Sequence, residues 1–165
     1  YSFAYNLKIF IDEARAKGAH PILVTPTSRR RFDENGKSVN THGDYPDAVR
    51  WVAAKENVPL IELNGMTAIL FNALGVDNST KAFVHYPAGT FPGQTRTLKD
   101  NTHFSTYGAY EVSKCVIEGM KKADLEIVKY LRPDYSGFDP AQPDSFESFK
   151  WNLGSFTENE KPDGN

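Results

Sequence analysis

The stretch His20–Pro26, HPILVTP, decides the fold. Its centre, Ile22–Leu23–Val24, is an unbroken apolar run with no polar residue alternating through it. Alternation with a period of two marks a strand with one wet face. A continuous apolar run marks a strand covered on both faces, as in a parallel sheet. A second run, VPLIEL, occupies Val58–Leu63 and is apolar except for Glu62.

Amphipathic helices lie on either side of these runs. Leu7, Phe10, Ile11 and Ala14 recur at helical spacing, which predicts a helix over 4–17 with Gly18 placed to end it. A long polar loop, TSRRRFDENGKSVNTHGD, follows the first strand. Asp44 then reads as an N-cap, with Pro46 in the first turn and Asp47 near the positive helix end. Val49, Val52 and Ala53 give that helix its buried side. Met66, Ile69, Leu70, Ala73 and Leu74 make a third helix that Gly75 stops. A loop rich in Gly, Pro and aromatics is expected over 81–104. Ala109, Val112, Val116 and Met120 form the inner face of a fourth helix.

This rhythm of helix, strand, helix, strand, helix predicts an α/β fold with a parallel sheet. Strands apolar on both faces need neighbours at their edges, because open edges of this kind template association. Further strands are therefore expected from upstream sequence or from another chain. The first residue is Tyr1 and not Met, which also leads us to expect a segment of something longer. The chain divides at about residue 131. Residues 1–131 carry the α/β pattern. Residues 132–165 are dense in Pro, Gly, Asp and Ser and read as an extended, partly ordered tail. Its aromatics (Tyr135, Phe138, Phe146, Phe149, Trp151, Phe156) are expected to dock parts of it on the domain.

Bulk properties narrow the function classes. The 165 residues suffice for one domain, and 39% of them are hydrophobic. A net charge of −2 with interspersed signs argues against nucleic-acid binding. No apolar run approaches the roughly 20 residues of a membrane span. The single cysteine, Cys115, falls on a helix and reads as a small core residue.

The chemistry concentrates in Lys99–Cys115, KDNTHFSTYGAYEVSKC, where Asp100 precedes His103 at the mouth of the fourth helix. A hydrolytic imidazole must be neutral and held in one tautomer, so that Nε2 can accept a proton from a nucleophile. A carboxylate on Nδ1–H does this and stabilises the imidazolium that forms. In a turn, residues three apart can meet. The alternative at this point is a turn-capping Asp beside an ordinary loop histidine.

That string, together with HPILVTPTSRR, HGDYPDAVR and VPLIELN upstream, resembles the C-terminal half of the SGNH (GDSL-like) hydrolases. Within them it resembles the rhamnogalacturonan acetylesterase group of carbohydrate esterases. The family's last motif is Asp-x-x-His, followed by an apolar or aromatic residue and then Gly and Ala on the final helix. Here these are Asp100, His103, Phe104, Gly108 and Ala109. The resemblance covers roughly residues 5–122. It implies a three-layer α/β/α sandwich of the flavodoxin-like SGNH type, of which this chain is the C-terminal part.

The resemblance also implies a serine esterase that removes O-acetyl groups from a pectin- or rhamnogalacturonan-type polysaccharide through an acyl-serine. His103 is then the catalytic base and later the acid, and Asp100 orients it. No metal or organic cofactor is implied. A secreted or periplasmic location is implied by the polymer substrate. The expected partners are the acetylated polysaccharide or oligosaccharide and the missing N-terminal half of the domain, with no nucleic acid and no membrane. In the family that half carries the nucleophile in a Gly-Asp-Ser motif, and an oxyanion hole that uses an Asn from Gly-x-Asn-Asp. Neither motif occurs here. GVDNST (Gly75–Thr80) is interrupted by Asn78 and follows the third helix, so Ser79 reads as a loop residue.

Arg29, Arg30 and Arg31 follow the first strand, where ligands bind in open α/β sheets. Arg29 or Arg30 could grip a galacturonate carboxylate through paired hydrogen bonds. The plain alternative is a solvated loop balanced by Asp33 and Glu34. His42 is a candidate for lining the cleft or for holding its loop. Tyr86, with Phe91 and Tyr107, could stack on sugar faces or pack in the core. His20 reads as structural, and His85 lies in the loop on the catalytic side. A rival reading is a metal-dependent hydrolase with His42, Asp44, Asp100 and His103 as nitrogen and oxygen ligands. A third is a non-catalytic fragment.

Overall fold

The structure is a computed structural model and describes residues 2–150. Helix α1 (Ser2–Ala16) buries Ile11. Phe10, expected beside it, is exposed. The helix ends in a Schellman turn at Gly18, whose φ is 75°. There the Gly18 N–H donates to the Arg15 carbonyl (2.9 Å) and the Ala19 N–H to that of Ala14 (3.0 Å).

Strands β1 (Leu23–Val24) and β2 (Leu60–Ile61) pair in parallel, Leu23 opposite Leu60 and Val24 opposite Ile61. Both are shorter than their apolar runs. The second run stops pairing because Glu62 becomes the N-cap of helix α3 (Leu63–Asn78), so Leu63 is helical. The Glu62 carboxylate accepts from the Gly65 N–H (3.2 Å) and from the Thr25 hydroxyl just beyond β1 (3.1 Å). Arg50, on helix α2 (Tyr45–Lys55), grips it with two prongs, Nε to Oε2 at 2.7 Å and Nη2 to Oε1 at 2.6 Å. The guanidinium is the main reason this carboxyl is held below the usual range. One side chain thus ties the ends of both strands to both flanking helices. Asp44 stands at the N-cap of α2 but makes no side-chain capping bond, and Asp47 takes Arg50 Nη1 at 2.5 Å.

Adjacent residues of a strand point to opposite faces. Leu23 packs with Ile11, Val52 and Val58, beneath α1 and α2. Ile61 packs with Leu70, Phe71, Val112 and Cys115, from α3 and the later helix α4 (Thr106–Lys122). The pair is thus layered α/β/α. The expectation that Ile22–Val24 is covered on both faces is corrected. Ile22 and Val24 expose 37% and 42% of their surfaces. Among the described residues β1 has a strand on one flank only, and the helices do not reach around the other.

The expected loop over 81–104 is instead an antiparallel hairpin. Helix α3 breaks at Gly75, whose φ of 72° ends the regular helix, and a short 3₁₀ turn (Ser79–Ala82) follows. Strand β3 (Phe83–Tyr86) then pairs with β4 (Leu98–Phe104). Helix α4 begins at once. Its N-cap, Ser105, accepts from the Gly108 N–H (3.1 Å) and donates to the Lys81 carbonyl (2.6 Å), fastening the helix to the turn before β3.

The buried stripe of α4 runs through Tyr107, Gly108, Glu111, Val112, Cys115 and Gly119, which leaves the expected core residue Ala109 exposed. The glycines explain the rotation, because each is a point of close approach. A Cβ on Gly119 would stand 2.5 Å from Ile61 Cγ2. Cys115 is a free, fully buried thiol, and burial pushes it up to about 12.

Residues 132–150 lie along α4. The Tyr135 hydroxyl (2.8 Å) and the Phe138 N–H (3.1 Å) both donate to Glu118. Buried Lys114 bridges Glu111 (2.9 Å) and Asp144 (2.8 Å), with its ammonium 4.1 Å from the Phe138 ring centre. The Tyr107 hydroxyl donates to the Asp144 carbonyl (2.7 Å). Trp151 and Phe156 lie outside the described residues. No helix among the described residues is long and apolar enough to cross a membrane.

Candidate active site

The hairpin register places the site. His85 faces Lys99 and Phe83 faces Phe104, two steps along β3 against five along β4. The three surplus residues of β4 fall within Asp100–His103, a bulge lifted out of the ladder. Bulges re-aim side chains in this way. Asp100 holds the bulge shut. Its Oδ1 accepts from the backbone N–H groups of Thr102 (2.6 Å) and His103 (3.0 Å). Its Oδ2 lies 2.7 Å from Nδ1 of His103. The ring nitrogen therefore donates to the carboxylate, which leaves Nε2 as the lone-pair nitrogen. Nε2 has no hydrogen-bond partner among the described residues, and the His103 side chain is 76% exposed.

These bonds hold the Asp100 carboxyl down at about 2, the backbone N–H of His103 being the largest cause, then its ring, then the Thr102 N–H. A carboxyl lowered by folding stabilises the fold fully above its free value, about 3.9, and loses that contribution as pH falls through its folded value. Its carbon resonance is expected to stay at the ionised position from neutral pH to about 3 and to move only near 2. In His103→Ala the midpoint should rise part of the way toward 3.9, since the backbone bonds remain. An unshifted midpoint in that variant would show that the ring does not hold the carboxylate.

The other candidates fall into two groups. Arg30 is fully engaged inside the molecule: Nε donates to Ser79 Oγ (2.9 Å), Nη1 to Asn101 Oδ1 (3.3 Å) and Nη2 to the Val76 carbonyl. It is a strut and not an open carboxylate receptor. His42 donates from Nε2 to the Thr27 carbonyl (2.8 Å) and so fastens its own loop. Arg29 is exposed, its backbone N–H bound to Thr41 Oγ1 (2.8 Å), and its guanidinium has no partner among the described residues. Tyr86 is half-buried, edge-on to Phe91 at 5.0 Å between ring centres. It lines a cavity of about 360 Å³ with Lys81, His85, Phe146 and Phe149. Tyr107 is core.

The metal reading is corrected. Among the described residues no three His, Cys, Asp or Glu side chains converge, so His42, Asp44, Asp100 and His103 form no ligand set. His42 is turned to its own loop, and Asp100 is spent on His103. The three serines nearest in sequence to the strand ends are buried and bonded elsewhere. Ser28 is contacted by Asn64 Nδ2 (3.4 Å), Ser79 donates to the Val76 carbonyl (3.0 Å) and Ser105 caps α4. The sequence placed His85 on the catalytic side without a role and did not single out Asn101; their side chains meet at 2.8 Å beside the dyad.

No family model matches the chain. It is similar to the rhamnogalacturonan acetylesterase RhgT of Bacillus subtilis, 43% identical over 130 residues, which is 79% of this chain and 56% of RhgT. It is also similar to the probable rhamnogalacturonan acetylesterase YesY of the same organism, 36% identical over 79% of this chain and 55% of YesY. The crystal structure of the YxiM protein of Bacillus subtilis superposes with a TM-score of 0.61 at 22% identity, over 75% of this chain and 32% of YxiM. That likeness carries the fold, which is α/β. The chain is thus similar to rhamnogalacturonan acetylesterases of Bacillus subtilis and spans about half the length of the curated relatives it matches.

Proposed function

We propose that this chain carries the acid–base part of a serine esterase that removes O-acetyl groups from rhamnogalacturonan-type polysaccharide. The observation behind this reading is the 2.7 Å contact between Asp100 and Nδ1 of His103, with Nε2 left open. The names of the similar Bacillus proteins supply the substrate class. His103 Nε2 takes the proton of a serine hydroxyl as its oxygen attacks the acetyl carbonyl. Asp100 keeps the tautomer and stabilises the imidazolium. The imidazolium then gives the proton to the departing sugar oxygen. Water, deprotonated by the same nitrogen, frees acetate from the acyl-serine.

The serine and the oxyanion donors come, in this reading, from a segment outside these 165 residues. Two observations support that placement: the buried, bonded state of Ser28, Ser79 and Ser105, and the 56% coverage of RhgT. Arg29 is the side chain we assign to uronate carboxylates, and Tyr86 to a sugar face. A polymer of that kind places the working protein in the periplasm or outside the cell.

The test is acetate release from acetylated rhamnogalacturonan and acetylated xylan, by the full-length protein and by residues 1–165 alone. The full-length protein should turn over the first substrate preferentially. The isolated chain should be slower by more than the roughly 10²–10³ that the loss of one oxyanion donor costs. Robust turnover by residues 1–165 alone would place the nucleophile within them. No acetate release by the full-length protein from either polymer would overturn the esterase reading.

A further inference from the structure

The bulge that presents His103 has left the ladder, so strand pairing does not hold residues 100–103 in place. Three contacts replace it, and all converge on Asn101. Its carbonyl accepts from the Arg30 backbone N–H at 2.8 Å. Its Oδ1 accepts from His85 Nε2 at 2.8 Å and from Arg30 Nη1 at 3.3 Å. Arginine can only donate, so the amide oxygen, and not its NH₂, faces both groups. His85 must then donate from Nε2.

Arg30 is itself anchored, through Nε to Ser79 Oγ (2.9 Å) and through Nη2 to the Val76 carbonyl. Ser79 is fully buried. A continuous run of bonds therefore joins the C-terminal end of α3, through Arg30, to the middle of the Asp-x-x-His bulge. His85 grips the same oxygen from β3. Displacing the bulge by an ångström would turn Nε2 of His103 away from any fixed partner.

We infer that Asn101 is a positioning residue, and that Arg30 and His85, by holding its side-chain oxygen, set the orientation of the Asp100–His103 pair. This rests on the esterase reading above only for its catalytic consequence. The juxtaposition itself is structural.

The test uses the full-length protein with Asn101→Leu, which removes the acceptor, and Asn101→Asp, which keeps it. Asn101 is exposed, so neither change disturbs the core. Two readouts are needed: the ring-nitrogen chemical shifts of His103, which report its tautomer, and kcat and KM on an acetyl ester. Asn101→Leu should dilute the Nδ1–H tautomer and lower kcat by up to about 100-fold, the cost of a small misplacement, with KM nearly unchanged. Asn101→Asp should stay close to wild type in both. Wild-type nitrogen shifts in Asn101→Leu would overturn the inference, and so would equal damage in Asn101→Asp. If the full-length protein shows no esterase activity that depends on His103, the functional reading fails, and the nitrogen shifts still decide the role of Asn101.

Discussion

Replacing His103 with Ala in the full-length protein is expected to lower kcat for acetyl-ester hydrolysis by about 10⁴–10⁶, the range that follows loss of a triad member. KM should change little, because the ring removes a proton and does not grip the sugar. Asp100→Asn should cost about 10⁴ by favouring the wrong tautomer. It should leave the bulge intact, since the amide oxygen can still accept from the N–H groups of Thr102 and His103. Asp100→Ala removes those bonds too, and its far-UV and thermal behaviour should show the hairpin loosened. The check is steady-state kinetics on one acetyl ester for all three variants. Retained turnover in His103→Ala would move the base elsewhere. His42 could take that role only by giving up its bond to the Thr27 carbonyl.

The largest effect on stability is expected at Gly108. A Cβ there would lie 1.9 Å from the Ala82 carbonyl oxygen and 2.7 Å from its carbon, both main-chain atoms that cannot swing aside. That same carbonyl accepts the Ser105 N–H at 3.1 Å. Gly108→Ala must therefore push the first turn of α4 off the hairpin. We expect a loss of about 3 kcal/mol, at the upper end for overpacking. In a domain of this size that lowers Tm by roughly 6–12 °C. Gly65→Ala is the control. Nothing stands closer than 3.7 Å to a Cβ at that helical position, so it should raise stability by up to about 1 kcal/mol. Thermal unfolding of the two variants side by side measures the contrast. Equal midpoints would mean that α4 does not sit this close to Ala82.

The difference between what could and could not be read in the sequence follows the range of the interactions. The apolar runs Ile22–Val24 and Val58–Ile61 announce the parallel pair, although in β1 only Leu23 turns into the core and Ile22 and Val24 stay open, and helical spacing locates α1 to α4. Asp100 and His103 are three residues apart, so their meeting is a local event and was open to inspection. The hairpin was not. Leu98–Phe104 does not alternate, because its middle is a bulge, and the segment before it is crowded with Gly and Pro. Glu62 ends a strand and starts a helix, a choice made by Arg50, Thr25 and Gly65 together. Arg30 is a strut for a bulge seventy-one positions away, and no local pattern signals that. The buried Lys114 with Glu111 and Asp144 breaks the apolar stripe of α4 for the same reason: its partner is on a distant segment.

The exposed flank of β1 has a colloidal consequence. Ile22 and Val24 share the outer surface of the chain with Tyr5, Phe10 and Trp51, all substantially open to water. Apolar surface of this kind attracts its own copies, and only net charge opposes the approach at long range. That charge is small, −2 at neutral pH, and it vanishes near pH 6.1. A solution of these residues alone is thus least dispersed in mildly acidic buffer, and added salt, which screens the little repulsion available, does not help it.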